Sequence, residues 1–179
     1  MKKNFRKRST SELERKNIHE YKNAVKTPIV LVLDNIRSAN NVGSIFRTAD
    51  AFLIEHIYLC GITACPPHKD IHKTALGAEL SVPHTYYNST TEAINFLQSH
   101  NYTIISIEQA EGSTALHNFE QTTGEKYALI FGNEVFGVSD DVIQNSDICI
   151  EIPQLGTKHS FNVSVTCGIV LWELSKKYI

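Results

Sequence analysis

From residue 28 onward, short unbroken apolar runs alternate with stretches in which apolar residues return every three or four positions. Residues 29–33 (IVLVL) are the first such run, and a strand apolar at every position is one buried on both faces of a parallel sheet. Residues 40–52 follow with Val42, Ile45, Phe46, Ala49 and Phe52 on one side, the spacing of an amphipathic helix. Residues 56–60, 102–107, 127–131 and 148–152 predict further strands, and residues 91–99 and 162–178 predict helices. Between them, residues 61–81 carry PPHKDIHKTALGAE and read as a long polar connection. Ahead of all this, Ser11 and Glu14 have capping-box spacing, which predicts a short amphipathic helix over residues 12–25. The alternation implies an α/β fold, a parallel sheet flanked by helices. The expected organisation is a basic N-terminal extension over residues 1–27 and a single domain over 28–179.

Composition adds bounds. With 179 residues, 42% of them hydrophobic, the chain can bury one sizeable core. A formal net charge of −2 means that any nucleic-acid site is a local patch rather than a property of the whole surface. The opening Lys2, Lys3, Arg6, Lys7 and Arg8 read either as a solvated tail or as a basic segment that grips phosphates. Cys60, Cys65, Cys149 and Cys167 form no C-x-x-C pair and are read as reduced thiols in a cytoplasmic protein. No apolar run approaches the roughly 20 residues of a membrane span, and no signal peptide opens the chain.

The loop after the first strand (DNIRSANNVGSIFR) has one glycine, so it fits neither a dinucleotide fingerprint nor a P-loop. No G-x-S-x-G elbow occurs. Three other segments carry candidate chemistry. In the first, Asn41 and Arg47 stand six residues apart at a helix start, where Asn41 reads as an N-cap and both residues are able to border one cleft. The second, residues 129–139, runs from a strand into a loop with Gly132, Glu134, Gly137 and Ser139. It puts a carboxylate at the carboxyl end of a strand, where open α/β sheets place ligands, with Gly137 suited to positive φ and Ser139 to capping the next helix. The third, residues 152–164, ends a strand at Pro153 and brings Ser160 and Asn162 to the start of the last helix. His68 and His72 lie in the polar connection without a third ligand, so no metal is expected.

Taken together and in order, these segments resemble the SpoU/TrmH family of RNA ribose methyltransferases within the SPOUT superfamily. The family pattern N-x-G-x-x-x-R is met by Asn41, Gly43 and Arg47, and its F-G-x-E-x-x-G-x-S by Phe131, Gly132, Glu134, Gly137 and Ser139. Its I-P-x-x-G-x-x-x-S-L-N-V-S-V is met by Ile152, Pro153, Gly156, Ser160, Asn162, Val163, Ser164 and Val165, with Phe161 in place of Leu and Gln154 where Met is common.

The resemblance, which covers residues 28–179, implies a C-terminal trefoil knot, a homodimer and S-adenosyl-L-methionine as cofactor. It implies an adenosyl pocket of Ile107, Gly132, Ile152 and Phe161, and a catalytic set of Arg47, Asn41, Glu134, Ser160 and Asn162. In that set Arg47 holds a phosphate and helps free a ribose 2′-hydroxyl of its proton, which passes to a phosphate oxygen or to an Arg47 made unusual by its site, an unperturbed guanidinium being a poor base. Lys3, Arg6, Lys7, Arg8, Lys69 and Lys73 are the expected RNA contacts. An extension of about 27 residues is too short for an RNA-binding domain, which favours tRNA, with guanosine as the candidate nucleotide, over ribosomal RNA. A catalytically inactive RNA-binding member and a small reductase are the rival readings.

Overall fold

The chain is described over residues 4–179 by a computed structural model. Seven strands form one sheet: β1 (Thr27–Asp34), β2 (Ile54–Cys60), β3 (His84–Tyr87), β4 (Tyr102–Ile107), β5 (Thr114–Ala115), β6 (Lys126–Phe131) and β7 (Ile148–Glu151). Their order is β3-β2-β1-β6-β4-β7-β5, and every pairing between them is parallel. Residues 29–33 of β1 are all fully buried, as an apolar run flanked by helices on both sides requires.

The pleat divides that strand between two cores. Ile29, Leu31 and Leu33 face the larger one, with α1 (Ile18–Asn23), α2 (Ala39–Ala51), α3 (Lys69–Ala75), α4 (Ala78–Ser81) and α7 (Val163–Ser175). Val30 and Val32 face the smaller, with α5 (Thr90–Ser99) and α6 (Asp140–Gln144). Every expected strand is present within two residues of its expected bounds.

Four expectations need correction. The N-terminal helix over 12–25 is instead a 3-10 turn at Thr10–Leu13 and the six-residue α1, separated by Glu14 in the left-handed region at φ 47°. The expected Ser11–Glu14 box is replaced by two others, Ser9 with Glu12 and Asn17 with Glu20, each starting its own turn. Tyr21 is the one residue of this stretch in the core, too little burial to hold a continuous helix. The polar connection over 61–81 contains α3 and α4, so His68 is the N-cap of α3 and His72 lies within it. Asn41 does not cap α2: Ser38 does, accepting the Asn41 amide at 3.3 Å. Of the two residues brought to the start of α7, Asn162 is the cap, accepting the Ser164 amide at 2.9 Å.

Gly43 has a packing duty. A Cβ there would lie 2.1 Å from Thr74 Oγ1 and 2.3 Å from the Ile71 carbonyl oxygen, so it is the point where α2 and α3 touch backbone to backbone. No helix among the described residues is long and apolar enough to cross a membrane.

Candidate active site

The carboxyl ends of β4, β6 and β7 open into a cavity of about 730 Å³, within the roughly 300–1,000 Å³ typical of small-molecule sites. Ile107, Phe131 and Glu151 end their strands there, and Gly132, Ile152 and Phe161 continue the wall. All four residues expected to hold the adenosyl group therefore line one space. Phe161 is 42% exposed, placing an aromatic ring at the mouth.

One tight turn shapes this cavity. Asn133 and Gly137 exchange both backbone hydrogen bonds at 2.9 Å, and Asn133 Oδ1 accepts the Val135 and Phe136 amides. Gly137 adopts φ 70°, as its position in the motif suggested. Gly132 packs against the return of the same turn: a Cβ would fall 2.1 Å from Gly137 C and Val138 N. Glu108 buttresses the turn from β4 by accepting the Val138 amide at 3.0 Å. Asn133 and Glu108 escaped the sequence reading; Asn133 lay inside the second motif, and Glu108 directly after a predicted strand.

Glu134, Asn41 and Asn162 converge from three distant segments. Glu134 accepts the Arg37 amide at 2.8 Å, the Ser38 amide at 3.0 Å and Asn41 Nδ2 at 2.8 Å. Asn162 Nδ2 in turn donates to Asn41 Oδ1 at 3.2 Å. Partial burial pushes the Glu134 carboxyl up, but the Arg37 amide, the Asn41 side chain and the Ser38 amide outweigh it and hold it below the usual carboxylate range. The ionised Glu134 also sits at the amino end of α2, where negative charge is favoured. Because Ser38 is the cap, the Asn41 side chain is free to take part. Ser139 opens α6 without a side-chain cap, its amide and hydroxyl reaching Asp34 Oδ2 at 3.2 and 3.4 Å.

The remaining expected residues are placed differently. Ser160 lines the cavity but is exposed and joins no part of this network. Arg47 lies on the exposed side of α2 and does not line the cavity. A helix turns 100° per residue, so six positions from Asn41 carry Arg47 well round the axis. Lys69 and Lys73 are exposed on α3, and Lys7 and Arg8 in the N-terminal stretch. Arg6 pairs with Glu12 at 2.7 Å, and Lys3 lies outside the described residues.

The charge of the cavity bears on its ligand. Glu108, Glu134, Asp140 and Glu151 line it, and no lysine or arginine does so among the described residues. Such a wall disfavours dinucleotide phosphates and favours a cation, while its apolar strand ends suit a flat heterocycle. This donor set fits S-adenosylmethionine, whose sulfonium and amino groups outweigh its carboxylate.

An open parallel α/β sheet with an acidic, apolar-walled cleft at its carboxyl edge suits a cationic cofactor better than a dinucleotide. The model of the SpoU rRNA Methylase family matches residues 28–172, and the chain belongs to that family. It is 26% identical over 170 residues to the tRNA (guanosine(18)-2'-O)-methyltransferase of Thermus thermophilus, covering 95% of this chain and 86% of that protein. It is 29% identical over 154 residues to the mouse tRNA (guanosine(18)-2'-O)-methyltransferase TARBP1, covering 84% of this chain but 10% of that protein. The structure superposes on an AdoMet-bound rRNA methyltransferase of Sinorhizobium meliloti with a TM-score of 0.80 at 25% identity, over 87% of this chain and 58% of that one. The chain thus spans less than two thirds of two of these three relatives.

Proposed function

We propose that the protein is an S-adenosylmethionine-dependent RNA methyltransferase acting on a ribose 2′-hydroxyl, with tRNA, at a guanosine, as the favoured substrate and ribosomal RNA as the alternative. The acidic cavity, without lysine or arginine among the described residues that line it, carries this reading, since it suits a sulfonium and repels the phosphates of a reductase cofactor. The Thermus tRNA enzyme, 86% of whose length the chain spans, supports the substrate. Residues 28–179 form the methyltransferase domain, and residues 1–27 a basic extension that adds phosphate contacts. Four free thiols are in keeping with a cytoplasmic setting.

Ile107, Gly132, Ile152 and Phe161 hold the adenosyl group. The bound cofactor supplies a methyl group already activated by positive charge on sulfur. Asn162, Asn41 and Glu134 lock the starts of α7 and α2 to the turn after β6, which fixes where the ribose meets the cavity. Ser160 adds a hydroxyl at the rim. Arg47 holds a substrate phosphate, and the 2′-hydroxyl proton leaves to an oxygen of that phosphate, the guanidinium being already protonated.

A homodimer completes the site. Helix α2, whose exposed side carries Arg47, meets α7 at its end through Phe52 against Trp172, and α7 leaves Val165 and Trp172 half exposed at 50% and 55%. A helix apolar all round is normally covered, and a partner there would bring its Arg47 to this chain's cavity or the reverse. The C-terminal knot is supported by the route of the chain. After β7, beyond β4, it returns through the 152–162 loop to pack α7 against the β1 side, while the 132–139 loop borders the same cavity.

The test is transfer of labelled methyl from S-adenosylmethionine to bulk tRNA and, separately, ribosomal RNA, with nucleoside analysis. A 2′-O-methylated nucleoside is expected; no cofactor binding at all would overturn the reading. Arg47→Ala is expected to abolish transfer while S-adenosylhomocysteine still binds, and equal loss of both would remove its assigned role.

A further inference from the structure

A second cavity of about 480 Å³ opens beside the first, lined by Asp34, Asn35, Arg37, Ile62, Phe136 and Ser139. It shares Asn133, Phe136 and Gly137 with the first, so the 133–137 turn is the wall between them. Its apolar residues are unusually open: Ile62 is 66% exposed and Phe136 84%. The polar groups behind them are already engaged. Asp34, 1% exposed, accepts from Thr90, Asn35 and Ser139, and Asn35 Oδ1 accepts the Ile62 amide at 3.1 Å. The Arg37 guanidinium makes no hydrogen bond or ion pair among the described residues, although the Arg37 amide holds Glu134.

An exposed aromatic ring, an aliphatic side chain and an unengaged guanidinium around one small cavity are the groups that receive an unstacked base and its phosphate. Its occupant would also lie next to the ligand of the first cavity, because the two share a wall. We propose that this second cavity receives a nucleobase of the substrate RNA, splayed from its stack against Phe136 and Ile62, with Arg37 on the adjoining phosphate. The inference rests on the RNA-methyltransferase reading. A helix from a protein partner, about 10–12 Å across, would need a long groove instead.

The experiment measures KM for bulk tRNA and ribosomal RNA with the full chain and its Ile62→Ala, Phe136→Ala and Phe136→Tyr variants. S-adenosylhomocysteine affinity and mass in light scattering are followed for each. Phe136→Ala is expected to raise the RNA KM by about 5- to 150-fold, the range found for removing one stacked base, while Phe136→Tyr stays near wild type. Ile62→Ala, which touches only the second cavity, is expected to raise it in the same direction. Ultraviolet cross-linking of tRNA to the wild-type protein should map to the peptide containing Phe136. An unchanged RNA KM in both alanine variants overturns the proposal, as does an effect confined to cofactor affinity. A change in mass with RNA KM unmoved also overturns it, assigning the patch to contact between copies. Wild-type labelling of RNA with unaffected variants would fell this subsite alone, whereas no labelling by wild type would fell both readings.

Discussion

A single carboxylate ties three separated stretches of chain together. Glu134 takes two backbone amides and one side-chain amide, and its ionised form is what the amino end of α2 favours. Glu134→Gln keeps the size but substitutes an NH₂ for one acceptor oxygen, which then faces donors. Methyl transfer is expected to fall about 10- to 100-fold with the chain still folded, because a small misplacement of a positioning group has that effect. Initial-rate assays with circular dichroism check it, and wild-type rates would remove Glu134 from the site. This contact was half legible in the sequence: Asn41 and Glu134 each stood out as motif members, but nothing local pairs residues 93 positions apart. A second single-residue consequence concerns His56, which burial, and then the nearby His84, hold down from 6.5 to about 4. The folded state resists a proton that the unfolded chain accepts, so stability is full above pH 6.5 and declines as pH falls toward 4. About 1–3 kcal/mol should be lost across that window. Urea unfolding at several pH values measures it, and His56→Gln should flatten the slope; an unaltered slope would place the effect elsewhere.

Contact between elements is equally specific at Gly43. Alanine there would gain about 1 kcal/mol of helix propensity. It would also force α2 from α3, because its Cβ would lie 2.1 Å from Thr74 Oγ1 and 2.3 Å from a backbone oxygen that cannot rotate away. Overpacking of this kind costs about 1–3 kcal/mol and more when backbone must move, so the clash wins. Gly43→Ala is expected to lower Tm by several degrees, roughly 2–4 °C per kcal/mol in a chain of this size. A Tm equal to or above wild type in a calorimetric scan would contradict the close approach. The elements themselves were legible where burial dictated a long apolar run, as in β1 and β6, and where one face repeated, as in α2. They were hidden where pairing, not side chains, makes the structure. β3 (HTYY) is a short strand at the sheet edge and β5 has two residues. The segments α3 and α4 bury few apolar side chains and are parted by Leu76 and Gly77 at positive φ.

For the molecule as a whole, the proposed homodimer would cover the half-exposed Trp172 and Val165 on α7. Light scattering is expected to give twice the chain mass of 20.1 kDa, and Trp172→Asp to return it to a monomer with transfer activity lost. A wild-type monomer that methylates RNA would refute the shared site. The sheet order has a different consequence, for synthesis. β1, apolar at every one of residues 29–33, gains β2 early, but its other neighbour is β6, about a hundred residues later. Until that strand leaves the ribosome, the most apolar edge in the protein has open backbone donors and acceptors, the condition under which nascent chains stick to one another. The middle of the sheet is thus completed almost last, and a stalled or truncated product ending before residue 126 is expected to be a substrate for chaperones or proteases rather than a half-folded domain.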